Sequence, residues 1–159
     1  MICLKPQNML HKNLKDNTYV IAQFTLFALF FLNPELTGLE LCTFLKLPAL
    51  LLFISGIVVC IVSILQLNHN LTAFPTPKES ARLYTGGLYK YIRHPIYTGV
   101  IMIFFGMSLY WSSVYQLMIT TALIVLFYYK SAYEEEQLTN KFSEYKSYKS
   151  HTGRFFPWL

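Results

Sequence analysis

The sequence predicts an all-α integral membrane protein with about four transmembrane helices, and three observations carry that expectation. Apolar residues make up 54% of the 159 residues and charged residues only 13%, against about 25% charged in ordinary soluble domains. A chain this small has too much surface to cover with so few charges in water. The apolar residues also gather into four separate runs. Finally, the cations lie between and beyond those runs, nearly all in alternate connections and so on one side of the set. The length suits one membrane-embedded domain, 1–159.

The first run is "YVIAQFTLFALFFL", Tyr19 to Leu32, stopped by Asn33-Pro34. It is short against the roughly 20 residues that a hydrocarbon core of about 30 Å requires, so its helix must recruit polar flanks. Lys5, Lys12 and Lys15 precede it in the manner of a signal peptide, but no small-residue cleavage site follows, which predicts an uncleaved segment. The second run, Leu47 to Leu67, is long enough to span and carries Pro48 in its first turn. The third extends from about Pro95 to Trp111 and the fourth from about Val114 to Tyr129. The tight link "WSSVY" makes the last two an antiparallel hairpin. Between the second and third lies a Pro-, Thr- and Gly-rich loop, Asn68 to Tyr89, long enough to be functional. Beyond Glu134 the chain reads as a helical extension to about Ser150, a turn at Gly153 and a proline stop, with Phe155, Phe156 and Trp158 as an aromatic interface anchor.

Charge placement orients the set. With four spans and both termini cytoplasmic, twelve of the 13 Lys and Arg residues fall inside and only Lys46 outside. The net charge of +5 does not point to nucleic acid, because the cations flank apolar runs and form no basic polar face. Cys3, Cys42 and Cys60 have no paired spacing, so neither a disulfide framework nor a zinc site is indicated. The absence of GxGxxG leaves a soluble dinucleotide fold unsupported.

The orientation brings "KYIRHPIYTG" (90–99) and "YEEEQL" (133–138) to one aqueous mouth. Each has a plain reading and a sharper one. Arg93 and Lys90 can anchor to lipid headgroups, or form one wall of a reaction site. Glu134 to Glu136, placed just past the fourth apolar run, stand at the negative end of a helix dipole. They form either a solvated acidic patch paired with Lys130 and Lys141, or carboxylates that hold a ligand. His94 reads as a hydrogen-bonded histidine, since no second His or Cys stands at ligand spacing. Gly86-Gly87 is an ordinary turn or a place for close backbone approach to a ligand. Tyr89 and Tyr97 suit either a membrane interface or a bound cation.

The order of these signals resembles a family. Gly87-x-Tyr89, Arg93-His94-Pro95-x-Tyr97-x-Gly99, a hydrophobic hairpin, Glu134-Glu135-x-x-Leu138, and then Phe142, Tyr145 and Tyr148 follow one another. This pattern is similar to the membrane-embedded methyltransferases of the isoprenylcysteine carboxyl methyltransferase and phospholipid methyltransferase group. The resemblance is strongest over residues 68–157. It implies a cytoplasmic S-adenosylmethionine site held by Leu83, Tyr89, His94, Pro95, Ile96, Tyr97 and Glu134, with Glu135 as the adjacent candidate. It also implies a lipophilic or amphiphilic acceptor, with Arg93 and Lys130 at the chemistry. Lys130 stands where the isoprenylcysteine enzymes carry an arginine that contacts substrate. Lysine keeps the charge but lacks the planar fork that grips a carboxylate bidentately. Two other classes fit the composition: a sterol-reductase-like membrane reductase using NADPH, and a small non-enzymatic membrane protein. A cofactor-binding comparison separates all three.

Overall fold

The computed structural model describes residues 6–32, 43–67, 71–77 and 80–157. The helix stop at Asn33-Pro34, the start of the central loop at Asn68, and Cys3, Lys5, Cys42, Lys78 and Trp158 lie outside the described residues. The described elements are α1 Pro6–Leu32, α2 Lys46–Leu67, α3 Pro95–Tyr110, α4 Val114–Lys141 and α5 Tyr145–Ser150, with short 3-10 turns at Thr43–Leu45 and Gly87–Lys90.

Two of these helices, α2 and α4, are long and apolar enough to cross a membrane, and α3 is a shorter apolar helix. At about 1.5 Å per residue, the 22 residues of α2 reach roughly 33 Å. The expectation of four spans is therefore met in part. α1 is helical but not apolar along its length, because it starts twelve residues or so before the apolar run. Leu, Met, Gln and Lys in that leading stretch are good helix formers and carry the helix on past the apolar window. α4 likewise continues beyond Tyr129 to Lys141. Glu134 to Glu136 thus lie inside a helix rather than at its end, which removes the expected dipole penalty. The extension to Ser150 is not continuous either: Phe142 turns extended at φ −120°, ψ 116°, and α5 starts afresh at Tyr145.

The hairpin between α3 and α4 turns on Ser112, whose φ is 54°, and Ser113 caps α4 by accepting from the Gln116 amide at 3.2 Å. Pro95 occupies the first helical position of α3, where its missing N–H costs nothing. Packing of α2 on α3 depends on glycine: a Cβ at Gly99 would stand 2.6 Å from Cys60 Sγ and 2.9 Å from the Cys60 backbone nitrogen. The two backbones can touch only without side chains there.

Phe30, Phe104, Leu123 and Phe127 form the core where α1, α3 and α4 meet. Polar cross-links set the register of these helices: Tyr115 donates to Leu29 O at 2.9 Å, and Ser108 and Thr120 pair at 3.0 Å. Along α2, Leu47, Leu51, Ile54, Val58, Ile61 and Leu65 remain exposed as one apolar face, the surface a helix offers to hydrocarbon. Gly87 adopts φ 57°, and a Cβ there would strike the Gln66 amide at 2.4 Å. That amide accepts from Leu88 N at 2.9 Å. Close backbone approach is real at this position, and the group approaching is a side chain of α2.

Candidate active site

Between the ends of α2, α3 and α4 lies a cavity of about 340 Å³, within the range of small-molecule sites. One wall is the irregular segment Leu71–Pro77 with Ala81–Tyr84; the others come from Tyr89, the start of α3, the middle of α4 and the tail. Of the residues singled out by the resemblance, Leu83, Tyr89, Arg93, His94, Ile96, Tyr97, Lys130 and Glu134 line it. Pro95 and Glu135 do not. Both are buried beside it, Pro95 as the helix start and Glu135 behind the wall.

The two neighbouring glutamates have opposite surroundings. Glu135 is 1% exposed and ringed by three cations, Arg93 Nε at 2.9 Å, Lys149 Nζ at 2.7 Å and Arg154 Nη2 at 3.2 Å, with the His94 ring nitrogen Nε2 at 3.3 Å. Its lone pairs are committed to the protein. Glu134 faces the cavity, accepting from the Tyr97 hydroxyl at 2.8 Å with His94 Nδ1 3.8 Å away. Consecutive helical residues point about 100° apart, so the two carboxylates serve different compartments.

Arg93 is the other half of that division. Its side chain is only 8% exposed, and its guanidinium reaches Glu135, Lys149 O at 3.1 Å and Thr152 O. Lipid anchoring is therefore not its role. The backbone joins in: Arg93 N donates to Gly153 O at 2.9 Å, His94 N to Arg154 O at 3.1 Å, and the Thr98 hydroxyl to Phe155 O at 2.8 Å. Tyr148 closes the knot by donating to Tyr89 O. The tail thus straps the Arg-His-Pro segment to α4. Phe155 packs near His94, 6.1 Å between ring centres, and so is not the interface anchor expected of it. Burial pushes the phenols of Tyr89 and Tyr145 well up, and that of Tyr148 up to about 12, so all three stay neutral donors at physiological pH.

A second cluster lies one turn and more deeper along α4. The Lys130 ammonium, 1% exposed, donates to Gln23 Oε1 at 2.6 Å and Ala73 O at 2.9 Å, and sits 5.4 Å from the Tyr97 ring centre. Among the described residues no carboxylate lies within ion-pair distance of it. His94, Tyr97 and Phe127 form a pile, with centroids 5.4 Å and 4.6 Å apart and near-parallel planes. The result is an apolar, aromatic cavity lined by the Glu134 carboxylate and, one helical turn away on α4, by Lys130, with Tyr97 in contact with both. Such a space can hold a cation against Glu134 and the rings, and an anion against Lys130.

Sequence reasoning passed over Gln23, Phe127 and Tyr145 as site residues. Gln23 had a readable signal, an amide inside an apolar helical run. Phe127 had none, being indistinguishable from any core aromatic.

Comparison with known proteins follows this geometry. The sequence profile of the phospholipid methyltransferase family matches residues 44–145, well over half the chain. Methanethiol S-methyltransferase 1 of Bradyrhizobium diazoefficiens is 31% identical over 93 residues, covering 57% of this chain and 32% of that protein. The fold is similar to that of the eukaryotic intramembrane Ras methyltransferase ICMT, isoprenylcysteine carboxyl methyltransferase, with a TM-score of 0.68 at 24% identity over 90% of this chain and 53% of that one. The chain thus spans about a third of the curated relative and about half of the solved structure. Carrying the sequence profile and the multi-pass membrane fold together, the chain belongs to the phospholipid methyltransferase family, membrane methyltransferases that use S-adenosylmethionine.

Proposed function

We propose that this chain transfers a methyl group from S-adenosylmethionine to a lipophilic or amphiphilic acceptor at the cytoplasmic face of the membrane. The observation that carries the reading is the company of opposite charges on one cavity: Glu134 and Lys130, one helical turn apart on α4, line it together with aromatic rings. The residues present fit the cofactor, because among the described residues Glu134 faces the cavity without a lysine or arginine ion pair and the buried Tyr145 hydroxyl has no hydrogen-bond partner. In this reading Leu83, Tyr89, His94, Ile96, Tyr97 and Glu134 hold it. Pro95 sets the start of α3, while Arg93, on the lining, and Glu135, behind it, fasten the wall.

When bound, S-adenosylmethionine supplies an electrophilic methyl on a positively charged sulfur. Glu134, oriented by the Tyr97 hydroxyl, and the Tyr89 ring would hold that positive charge in place. Lys130 orients an acceptor that presents an anionic or electron-rich atom. Phe127, Val100 and Ile64 keep water from the line of displacement. Little covalent help is required, and orientation of the two partners supplies most of the effect. One similar protein is named for a thiol and the other for a carboxyl, and these are the acceptors we would try first.

The same reading puts both termini and the Arg82–Arg93 side on the cytoplasmic face, with Lys46 opposite. The decisive experiment is product analysis: purified protein, methyl-labelled cofactor, and an extract of membrane lipids alongside simple thiols and amphiphilic carboxylic acids. Label moving into an apolar product supports the proposal. A protein that binds S-adenosylmethionine no better than NADPH ends it. A cysteine at Ser80 that reacts with an impermeant reagent from outside intact cells would overturn the sidedness alone.

A further inference from the structure

Five tyrosines line the cavity; Tyr84 is exposed, and the other four differ in what their hydroxyls bind. Tyr97 donates to Glu134 Oε2 at 2.8 Å, Tyr148 to Tyr89 O, and Tyr89 to Ser63 O at 3.5 Å. The fourth of these, Tyr145, has no partner for its buried hydroxyl among the described residues, although the residue is only 1% exposed. Its surroundings are otherwise tightly bonded. Tyr145 N donates to Phe142 O at 3.2 Å, its ring meets Tyr148 edge-on at 5.7 Å, and the strap of Arg93 and Glu135 lies alongside. Buried polar groups are nearly always paired. Of the four orphaned atoms among the described residues (Asp16 Oδ1, Thr76 Oγ1, Gln116 Oε1 and the Tyr145 hydroxyl), only that of Tyr145 belongs to a residue lining the cavity, where a bound molecule can supply the partner. Tyr145 also lines the cavity and is the last residue of the stretch that matches the family.

Resting on the methyltransferase reading above, we propose that the Tyr145 hydroxyl is a ligand contact, donating to an acceptor atom of the bound S-adenosyl compound. The tail then has two functions at once: Tyr148 ties it to the wall, and Tyr145 closes the cofactor end of the cavity. Burial holds the phenol neutral, as a donor needs to be.

The test compares Tyr145→Phe with Tyr148→Phe in detergent-solubilised full chain, using S-adenosylhomocysteine as the probe and calorimetry and thermal unfolding as readouts. Tyr145→Phe deletes only the orphan hydroxyl. The expected result is about tenfold weaker binding, the effect of one hydrogen bond, with the ligand-free melting temperature unchanged or higher. Tyr148→Phe is expected to lower that melting temperature, since its hydroxyl serves the fold. Unchanged affinity in Tyr145→Phe overturns the inference, and so does a lowered ligand-free melting temperature, which would mean the hydroxyl is bonded within the protein. Wild-type protein that does not bind the probe overturns the methyltransferase reading itself, and this inference with it.

Discussion

Lys130 and Glu135 lie five residues apart on α4, are equally buried, and carry opposite charges, yet the fold treats them differently. Glu135 is neutralised by Arg93, Lys149 and Arg154, with His94 in contact. Lys130 is solvated by an amide oxygen, a carbonyl and a ring face. Burying a charge is costly unless it is paired and hydrogen-bonded. A carboxylate held by three formal cations has little field left for a ligand and is a fastening of the fold. An ammonium held by neutral dipoles is tolerated in the low-dielectric interior and still projects its charge into the cavity. The difference teaches where to look for chemistry: along the side of α4 that bears Lys130 and Glu134, one turn apart, and away from the side that bears Glu135.

The largest effect is expected where that comparison predicts pure structure. Glu135→Ala leaves several buried or half-buried cations without their anion, and breaking a buried pair costs about 3–5 kcal/mol. Thermal unfolding in detergent should show a large fall in melting temperature. A variant as stable as wild type would remove the strap from the account and return Glu135 to the list of ligand candidates.

Next comes Glu134→Gln, which keeps the volume and takes away the charge. Loss of a charge-assisted contact should weaken S-adenosylhomocysteine binding by about 1.5–3 kcal/mol, with melting of the ligand-free protein little altered. If affinity is unchanged, the division of labour between the two glutamates is wrong.

Lys130→Met should act on the acceptor side. We expect kcat/KM for acidic amphiphiles to fall about tenfold, with a smaller change for neutral acceptors and little change in cofactor affinity. Equal losses for every acceptor together with weakened cofactor binding would make Lys130 a partner of Glu134 instead. Lys130→Arg sharpens the case, because a planar fork suits carboxylate acceptors better than a point charge.

The smallest effect belongs to Lys149, the one cation of the Glu135 cluster that is 45% exposed. Solvent screens such a pair, so Lys149→Ala should cost no more than about 1 kcal/mol. A loss as large as that of Glu135→Ala would mean that this lysine, rather than Arg93, carries the strap.

Much of the scaffold was open to reading from residue order alone. Pro95 opening a helix, the Ser112–Ser113 turn and the apolar length of α2 are local matters of dihedral preference, capping and hydrophobic run, and they appear where expected. Helix ends were less legible. Polar helix formers extend α1 toward Pro6, and an apolar window is blind to them, whereas the helical extension of α4 past the glutamates was legible and ends earlier than expected, at Lys141. The break at Phe142 was hidden, since nothing in "TNKFSEYK" forbids helix.

What the sequence by itself determined is the class of molecule and the set of residues near one mouth: a membrane-embedded helical protein with Arg93, His94, Tyr97 and the glutamates in the order of the family. Which glutamate faces the cavity, that Arg93 turns inward to the tail, and that Gln23 meets Lys130 across 107 positions of chain were decided only by tertiary structure. The physical reason is angular and long-range. Neighbouring residues on a helix point about 100° apart, and only the packing of α1, α3 and the tail around α4 turns one of them toward ligand and its neighbour toward the fold.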